Sequence, residues 1–366
     1  MLVGAGIIAA NLPDIDLAYS FITPPPVGYL LHHRGHTHTL IGLGALAVVL
    51  IAAYWSFPSI RKMRASGRFQ FCLLVAVALA SHLALDSLNN YGVHPFYPID
   101  NAWYYGDAVF IFEPSLWLIF GIAVAANART RSTRLAATLP MIILLSAMLW
   151  IRIVPVLWVA VLATVGGIFA TFAWRVSPRT RAAGAFVVCG SIVAGLVGTS
   201  GLARRDAMDA LATELHGQVA DLILTPNPSS PLCWGVIAIE TRDREYVVWR
   251  GTLSLSPAWT RPVDCASHRF VDVRPERMIG NGRFALRDEI HQPLERLRAL
   301  ARNDCWVRAW LRFGRVPVIN GEWIFDLRYS ERMGQNFSHM RVVVRESCPW
   351  FVPDWSMPRA DVITSR

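Results

Sequence analysis

The sequence is poor in charged residues. Asp, Glu, Lys and Arg make up 17% of its 366 residues and hydrophobic residues 54%, whereas a soluble domain has roughly 25% charged residues. This composition excludes a protein that is soluble throughout. Nearly all long apolar runs precede the Arg204-Arg205 pair, so we predict a membrane domain over residues 1–202 and a polar, Arg-rich domain over residues 203–366.

Other features are also missing. No basic stretch followed by a small-residue cleavage site opens the chain, so we expect no cleavable signal peptide, and internal repeats and low-complexity tracts are lacking. The net charge of +9 does not indicate nucleic-acid binding, because the basic residues lie in short loops between apolar runs, where they orient membrane proteins. We therefore predict no nucleic-acid partner.

Six apolar runs approach the length of a membrane span, roughly 17 to 25 residues. They cover residues 40–57, 69–88, 114–127, 135–151, 156–174 and 182–202. The run over residues 1–12 is too short to cross a bilayer alone; it is either re-entrant or continued by residues upstream of this sequence, and we favour the second. The predicted fold is an α-helical polytopic membrane bundle of about six to seven segments, followed by a small α+β domain.

Most basic residues of the short loops fall on one side of the predicted bundle, with Arg34, Arg152, Arg204 and Arg205 as the exceptions. The residues on that side are Arg61, Lys62, Arg64, Arg68, Arg129, Arg131, Arg134, Arg175, Arg179 and Arg181. The positive-inside rule makes that side cytoplasmic. Residues 13–37, residues 89–113 and the C-terminal domain are then exoplasmic, which means periplasmic in a Gram-negative cell.

The C-terminal domain contains four cysteines: Cys233, Cys265, Cys305 and Cys348. Disulfides form outside the cytosol, so two disulfides are possible, in any of three pairings, with unpaired thiols as the alternative. Alternation and β-branched residues predict strands at residues 234–240, 245–249, 306–313 and 340–344, after a helix around residues 206–222.

Histidines and carboxylates flank the first apolar runs. They are Asp14 and Asp16, then His33, His36 and His38, then His82 and Asp86. A chain that runs outward, inward and outward again brings these positions to one face. Ionisable groups near hydrocarbon need a partner, and imidazole with carboxylate suits zinc and related cations.

Simpler interpretations of these residues stay open. His82 and Asp86, four apart on a helix, could share only a hydrogen bond. The histidine loop could be a hydrated or pH-sensitive patch. Asp14 and Asp16 would point to one side of an extended segment, or either could cap a helix, as Thr37 or Thr39 could.

A segment rich in aromatic residues, residues 89–113, lies on the same predicted face. For Trp103, Tyr104 and Tyr105 an interfacial aromatic belt is the better interpretation. Asp107 and His94 are candidates for catalysis or for contact with the metal ligands, Asp107 being the stronger.

Four ordered motifs of the first half resemble those of the predicted membrane-bound metal-dependent hydrolases. They are Asn11-Leu-Pro-Asp-Ile-Asp16, His33-Arg-Gly-His-Thr-His38, Ser81-His-Leu-Ala-Leu-Asp86, and Tyr105-Gly-Asp107 with Phe110 and Pro114. The resemblance implies a bacterial inner-membrane enzyme that hydrolyses an ester or phosphoester with a divalent metal. It implies metal ligands at Asp14, Asp16, His33, His38, His82 and Asp86. The Thr-His motif that relatives usually carry near the start is absent.

The hypothesis that follows is a metal-dependent hydrolase. Zinc, with manganese as the alternative, is bound by His33, His38, His82 and Asp86, while Asp14 and Asp16 hold a second ion or complete the inner shell. A metal-activated water is the nucleophile, Asp107 is the general base and Arg34 holds a phosphate.

The expected substrate is a membrane lipid or lipid-linked ester that enters from the bilayer or the periplasm. Two rival functions stay open: a metal or proton transporter, and a non-catalytic membrane sensor or scaffold. A transporter should carry ionisable groups deep in several spans and on both faces, whereas here they cluster on one face.

Overall fold

The computed structural model describes residues 2–152, 154–265, 275–330, 336–343, 345 and 347–363. Among the described residues up to Leu211 there are nine α-helices. Their bounds are α1 Leu2–Asn11, α2 Val27–His32, α3 Leu40–Trp55, α4 Pro58–Arg61, α5 Ala65–Ser87, α6 Pro114–Asn127, α7 Arg131–Ile151, α8 Val156–Arg175 and α9 Pro178–Leu211. Short 3-10 helices cover Leu12–Phe21 and His36–His38.

Five of these helical segments are long and apolar enough to cross a membrane. They are Leu2–Phe21, Ala65–Ser87, Arg131–Ile151, Val156–Arg175 and Pro178–Leu211. A sixth is the pair Val27–His38 and Leu40–Trp55, if this pair, bent by 69°, counts as one span. The prediction of about six to seven segments is therefore met only in part, by a bundle of five or six, and α6 is as short as the sequence indicates.

The opening segment differs from its prediction. The 3-10 helix Leu12–Phe21 continues α1, so Leu2–Phe21 forms one apolar helical segment of 20 residues. The prediction that the run ends near Leu12 and is too short to cross is wrong, and Asp14 and Asp16 are helical rather than extended. Pro13 does not end the segment, because it lies in the first turn of the 3-10 helix, where the missing N–H of proline is tolerated.

Helix α9 also departs from expectation. Its 34 residues correspond to about 50 Å at 1.5 Å per residue, well beyond the roughly 30 Å of hydrocarbon. It passes without a break through Arg204 and Arg205 and ends at Leu211, so no helix end falls at this pair. The helix predicted around residues 206–222 ends there, and strand pairing starts at Gln218.

The remaining chain combines two sheets with short helices. Strands β1 Gln218–Asn227, β2 Ser230–Arg242, β3 Glu245–Ser254, β4 Arg277–Ile279 and β5 Phe284–Pro293 form a sheet of order β1-β2-β3-β5-β4. Strands β6 Pro317–Asn320, β7 Trp323–Asp326 and β8 Met340–Arg341 form another. The short helices are α10 Pro262–Cys265, α11 Leu294–Asn303, α12 Cys305–Trp310, α13 Ala360–Ile363 and the 3-10 helix Leu327–Tyr329.

Two of the four predicted strands are confirmed within β2 and β3. The strand predicted at residues 306–313 is wrong, because α12 occupies this stretch. The Asp304 carboxylate accepts hydrogen bonds from the backbone N–H groups of Trp306 and Val307. Such a cap favours a helix, although the alternation of residue types predicts a strand. The fourth strand is shorter than predicted, since β8 ends at Arg341 and Val344 lies outside the described residues.

The chain divides into two compact units. The first unit contains residues 1–106, 243–246 and 292–366, and the second contains residues 107–242 and 247–291. These units are defined by the contacts within each of them. The predicted boundary at residue 202 separates a membrane domain from a domain outside the membrane, and it stays a prediction. Each unit holds one disulfide, Cys305–Cys348 in the first and Cys233–Cys265 in the second, which settles the pairing that the sequence leaves open.

His94 lies in the aromatic core of the first unit. Its ring is fully buried and lies 3.9 Å, between ring centroids, from both Trp103 and Trp355. Nδ1 is 3.2 Å from the carbonyl oxygen of Ala102. Burial lowers the pKa of His94 to about 3, so its neutral form stabilises the core and a catalytic role finds no support here.

This burial predicts a pH-dependent stability. The unfolded chain takes up a proton at His94 near pH 6.5 and the folded chain only near pH 3, so stability is full above pH 6.5 and is lost as the pH falls. Between pH 6.5 and 5 the loss should be about 2 kcal/mol. We expect denaturant unfolding of the full chain in detergent to show this loss of unfolding free energy. A His94→Phe variant keeps an aromatic ring but has no group that titrates, so its unfolding free energy should fall by about 2 kcal/mol less over the same pH range. Equal losses in both proteins would contradict the prediction.

Candidate metal centre

Three parts of the first unit supply the ionisable side chains. The 3-10 helix after α1 carries Asp14 and Asp16, the turn between α2 and α3 carries His33 and His38, and the last turns of α5 carry His82 and Asp86. Helix α1 packs along α5, and the two 3-10 segments pack on each other. Thr39 fixes the start of α3, because its hydroxyl oxygen accepts a hydrogen bond from the N–H of Gly42 at 2.8 Å.

The structure brings all six predicted ligands together, in two groups that share Asp14. The first group is Asp14, His38, His82 and Asp86, and the second is Asp14, Asp16 and His33. Within each group one ligand atom per residue lies within 4.8 Å of the others. His33 is thus placed with the two aspartates, whereas the hypothesis from sequence places it with His38, His82 and Asp86.

The first group has the dimensions of a tetrahedral site. His38 Nε2 lies 3.1 Å from His82 Nε2, 3.5 Å from Asp14 Oδ1 and 3.3 Å from Asp86 Oδ2. His82 Nε2 lies 3.5 Å from Asp14 Oδ1 and 3.4 Å from Asp86 Oδ2. A tetrahedron of nitrogen and oxygen atoms about 2.0–2.2 Å from zinc has edges of about 3.3–3.6 Å. Four of these five distances match zinc, and the separation of 3.1 Å between His38 Nε2 and His82 Nε2 is slightly shorter.

The tautomers of the two histidines are fixed by their other ring nitrogens. His82 Nδ1 lies 2.7 Å from the carbonyl oxygen of Ala10, which can only accept, so Nδ1 carries the hydrogen. His38 Nδ1 lies 3.0 Å from Asp16 Oδ2, and an ionised carboxylate also only accepts. In their neutral forms both rings therefore turn an Nε2 lone pair toward the same point, and a cation there would satisfy both.

Asp16 orients the turn that carries His38. Its Oδ2 accepts hydrogen bonds from the backbone N–H of Arg34 at 2.9 Å and the hydroxyl of Thr37 at 2.7 Å, in addition to His38 Nδ1. Its Oδ1 lies 3.2 Å from His33 Nδ1, and the side chain is almost fully buried. A carboxylate behind a ligating histidine fixes the ring and raises its basicity, so Asp16 supports the first group whether or not the second group holds an ion.

Arg34 orients another ligand. Its guanidinium is buried, with Nη2 2.8 Å from Asp86 Oδ1 and Nη1 2.8 Å from the side-chain oxygen of Asn89. Asp86 thus uses one oxygen for Arg34 and turns the other toward His38 and His82. The predicted contact of Arg34 with a phosphate stays a prediction, and the contact that the structure shows is a positioning one. Asn89 was missed from sequence, although it directly follows the span that carries Asp86.

The first group is open on the side of Asp14. The Asp14 side chain is 37% exposed, whereas His38 is fully buried and His82 and Asp86 are 14% and 16% exposed. A catalytic zinc site keeps a position for water or substrate and can expand to five ligands. Solvent or substrate would reach the centre past Asp14.

The other candidate residues are not members of either group. Asp107 belongs to the second unit, where its buried carboxylate lies 3.4 Å from Arg204; its role as general base stays a prediction. His36 packs against Trp355. Trp103 is buried and donates to the carbonyl oxygen of Arg312 at 2.6 Å, so the aromatic-belt interpretation is wrong for this residue.

The role of Asp16 predicts a measurable loss of affinity. Asp16→Asn keeps the shape of the side chain but removes the charge behind His38, and losses of this kind cost about 10–100-fold in metal affinity. Competition with a chromophoric zinc chelator should show such a loss, while the exposed Asp209→Asn substitution should leave the affinity unchanged. An unchanged affinity in the Asp16 variant would show that this carboxylate does not support the site.

Comparison with known protein families gives a match over the first part of the chain. Residues 1–159 match the family model of the YdjM inner membrane protein. No curated protein and no solved structure matches the chain. The YdjM match includes both ligand groups, Arg34 and Asp107, and ends within α8. Together with the five or six helices of spanning length, it supports a membrane-embedded protein of the inner membrane, as predicted, and leaves the hydrolase part of the resemblance as a prediction.

Proposed function

We propose that the protein is an inner-membrane metal-dependent hydrolase that acts on an ester or phosphoester. One observation carries the proposal: the Nε2 atoms of His38 and His82 lie 3.1 Å apart with carboxylate oxygens of Asp14 and Asp86 beside both. Without a cation or extra protons, facing lone pairs at this distance repel each other. Zinc suits two imidazoles and two carboxylates, and manganese is the alternative.

The chemistry assigned to the site follows from these residues. A bound dication lowers the pKa of water to about 7 and polarises a substrate oxygen. His38, His82, Asp86 and Asp14 would hold the cation. Arg34 and Asp16 keep Asp86 and His38 in place, and Asp14, the most exposed of the four ligands, borders the entrance. The second group, Asp14, Asp16 and His33, offers a position with three ligands for another ion. Asp107 as general base is part of the proposal.

We also propose the orientation and substrate class that the sequence indicates. The ligand groups lie at the end of α5 opposite to the basic residues Arg61, Lys62 and Arg64, which precede it. The positive-inside rule makes the ligand end periplasmic, together with the C-terminal domain and its two disulfides. A site at the membrane surface suits a membrane lipid or lipid-linked substrate.

One feature of the ligand groups favours hydrolysis over transport. Among the residues that the structure describes, these two adjoining groups are the ones that could hold a metal ion. A transport path needs further ionisable positions along its length. A sensor or scaffold with a structural metal can be distinguished from a hydrolase only by measuring hydrolytic activity.

The function is tested by a hydrolysis screen. The full chain in lipid nanodiscs is loaded with zinc or manganese and offered nitrophenyl phosphomonoesters, phosphodiesters and carboxylic esters. We expect metal-dependent turnover of at least one class, a loss of at least about 100-fold in Asp86→Asn, and no loss in the neighbouring Ser81→Ala. Tight metal binding without turnover of any class, also with lipid esters, would reject the hydrolase and favour a structural metal.

A further inference from the structure

The second unit contains a groove with one polar end. Its cavity of about 370 Å³ lies between α6, α8 and α9, and its wall includes Leu118, Leu162 and Leu196, with Glu113, Ser115 and Ser229 at one end. This volume is at the lower end of small-ligand sites, roughly 300–1,000 Å³. We call this cavity the Glu113 groove.

Glu113 is a buried charge without a cation. Its side chain is almost fully buried and accepts hydrogen bonds from the hydroxyl of Ser115 at 2.6 Å, the hydroxyl of Ser229 at 3.1 Å and the N–H of Ser229 at 3.1 Å. These donors are neutral, and among the described residues Glu113 has no ion-pair partner. Oε2 receives only the Ser229 N–H, so it has room for a further donor. A buried carboxylate is costly unless it is paired.

Capping alone does not account for this arrangement. Glu113 accepts a hydrogen bond from the N–H of Ser115 at the start of α6, and an uncharged Ser, Thr or Asn can make such a cap. A second polar group near the same end has no hydrogen-bond partner. The Nε1–H of Trp158 is buried and makes no hydrogen bond to any described residue. Glu113 and Trp158 both line the groove, so an acceptor with a full charge and a free donor face one cavity.

The position of the groove indicates its ligand. Glu113 precedes α6 and Trp158 lies in the first turn of α8, so the polar groups are at one end of the bundle and the apolar side chains follow along it. Helix α6 has 14 residues and is about 21 Å long, shorter than the hydrocarbon layer of roughly 30 Å. The groove therefore has an apolar part at the depth of lipid tails and a polar part near the head groups.

We propose that the Glu113 groove binds an aminophospholipid, with one acyl chain between α6, α8 and α9 and the primary ammonium group paired with Glu113. The ammonium group supplies a cationic partner for the Glu113 carboxylate and donates a hydrogen bond to Oε2. An oxygen of the lipid ester or phosphate accepts the Trp158 N–H. This site is separate from the proposed hydrolysis and does not depend on it.

The proposal is tested by native mass spectrometry of the full chain. The protein is reconstituted in equal amounts of phosphatidylethanolamine and phosphatidylglycerol, released into mild detergent, and the retained lipids are counted. We expect about tenfold more retained phosphatidylethanolamine than phosphatidylglycerol. Glu113→Gln, which keeps the cap and removes the charge, should abolish the preference. Ile192→Trp, which fills the groove, should abolish retention of both lipids.

A neighbouring cavity supplies the control. It measures about 390 Å³ and is lined by apolar residues such as Leu145 and Met148, without a carboxylate among the described residues. Leu145→Trp in that cavity should leave the preference for phosphatidylethanolamine intact. Equal retention of the two lipids by the parent protein, a preference that survives Glu113→Gln in a variant that unfolds at the parent's temperature, or no retained lipid would each overturn the proposal.

Discussion

Replacing His82 by alanine should lower the affinity of the protein for Zn²⁺ by more than about 100-fold, the upper end of what loss of a supporting residue costs. His82 Nε2 lies within 3.5 Å of ligand atoms of His38, Asp14 and Asp86, so its loss removes one of four donors. The measurement is competition with a chromophoric chelator, using the full chain in detergent.

Ser81→Ala is the matched control for this substitution. Ser81 lies on the same helix, is exposed, and donates its hydroxyl hydrogen only to the carbonyl oxygen of Ala78 at 2.9 Å. Zinc affinity should be that of the parent. If His82→Ala bound zinc as tightly as the parent, the first ligand group would not be the metal site.

The second large effect concerns the ion pair of Arg328 and Asp326. Both side chains are fully buried, and Arg328 Nη2 lies 2.8 Å from Asp326 Oδ2. Arg328 also donates to the carbonyl oxygen of Asn90 at 2.6 Å, which ties the segment after α5 to the C-terminal part of the first unit. Arg328→Met leaves Asp326 buried without its cation, so we expect a loss of about 3–5 kcal/mol in the free energy of unfolding. Denaturant unfolding followed by tryptophan fluorescence measures it.

An exposed pair provides the comparison. Arg341 Nη2 lies 2.7 Å from Glu322 Oε2, and more than half of each side chain is exposed. Such pairs contribute about 0–1 kcal/mol to the free energy of unfolding. Arg341→Met should therefore change stability little. Similar losses in the two variants would mean that burial does not set the contribution of the Arg328 pair.

The candidate metal ligands could be chosen from sequence because few ionisable residues occur in the apolar half of the chain. His33, His38, His82, Asp86, Asp14 and Asp16 all lie in the two groups of the structure. Their division between the groups could not be predicted, because it depends on the turn between α2 and α3. There Arg34 has a positive φ of 60°, and Asp16 contacts Arg34, Thr37 and both His33 and His38 of the turn. The spacing of residues along the sequence does not predict the backbone conformation or the hydrogen bonds of this turn.

The errors in the fold have a common origin, since local pattern does not show which hydrogen bonds end or continue an element. The opening helix continues past Pro13 as a 3-10 helix, and Asp304 caps a helix where alternation predicts a strand. Trp103 is buried because the C-terminal part of the first unit, with Trp355 and Phe313, packs around it. That packing joins residues more than 200 positions apart, which no local pattern of the sequence reports.

X-ray absorption at the zinc edge tests the proposed centre most directly. For the purified, zinc-loaded full chain we predict a four- or five-coordinate site with two imidazole nitrogens at about 2.0–2.1 Å and carboxylate oxygens at about 2.0–2.2 Å. Zinc that is lost on dialysis, or a shell of oxygens without imidazole, would contradict a metal centre at His38 and His82.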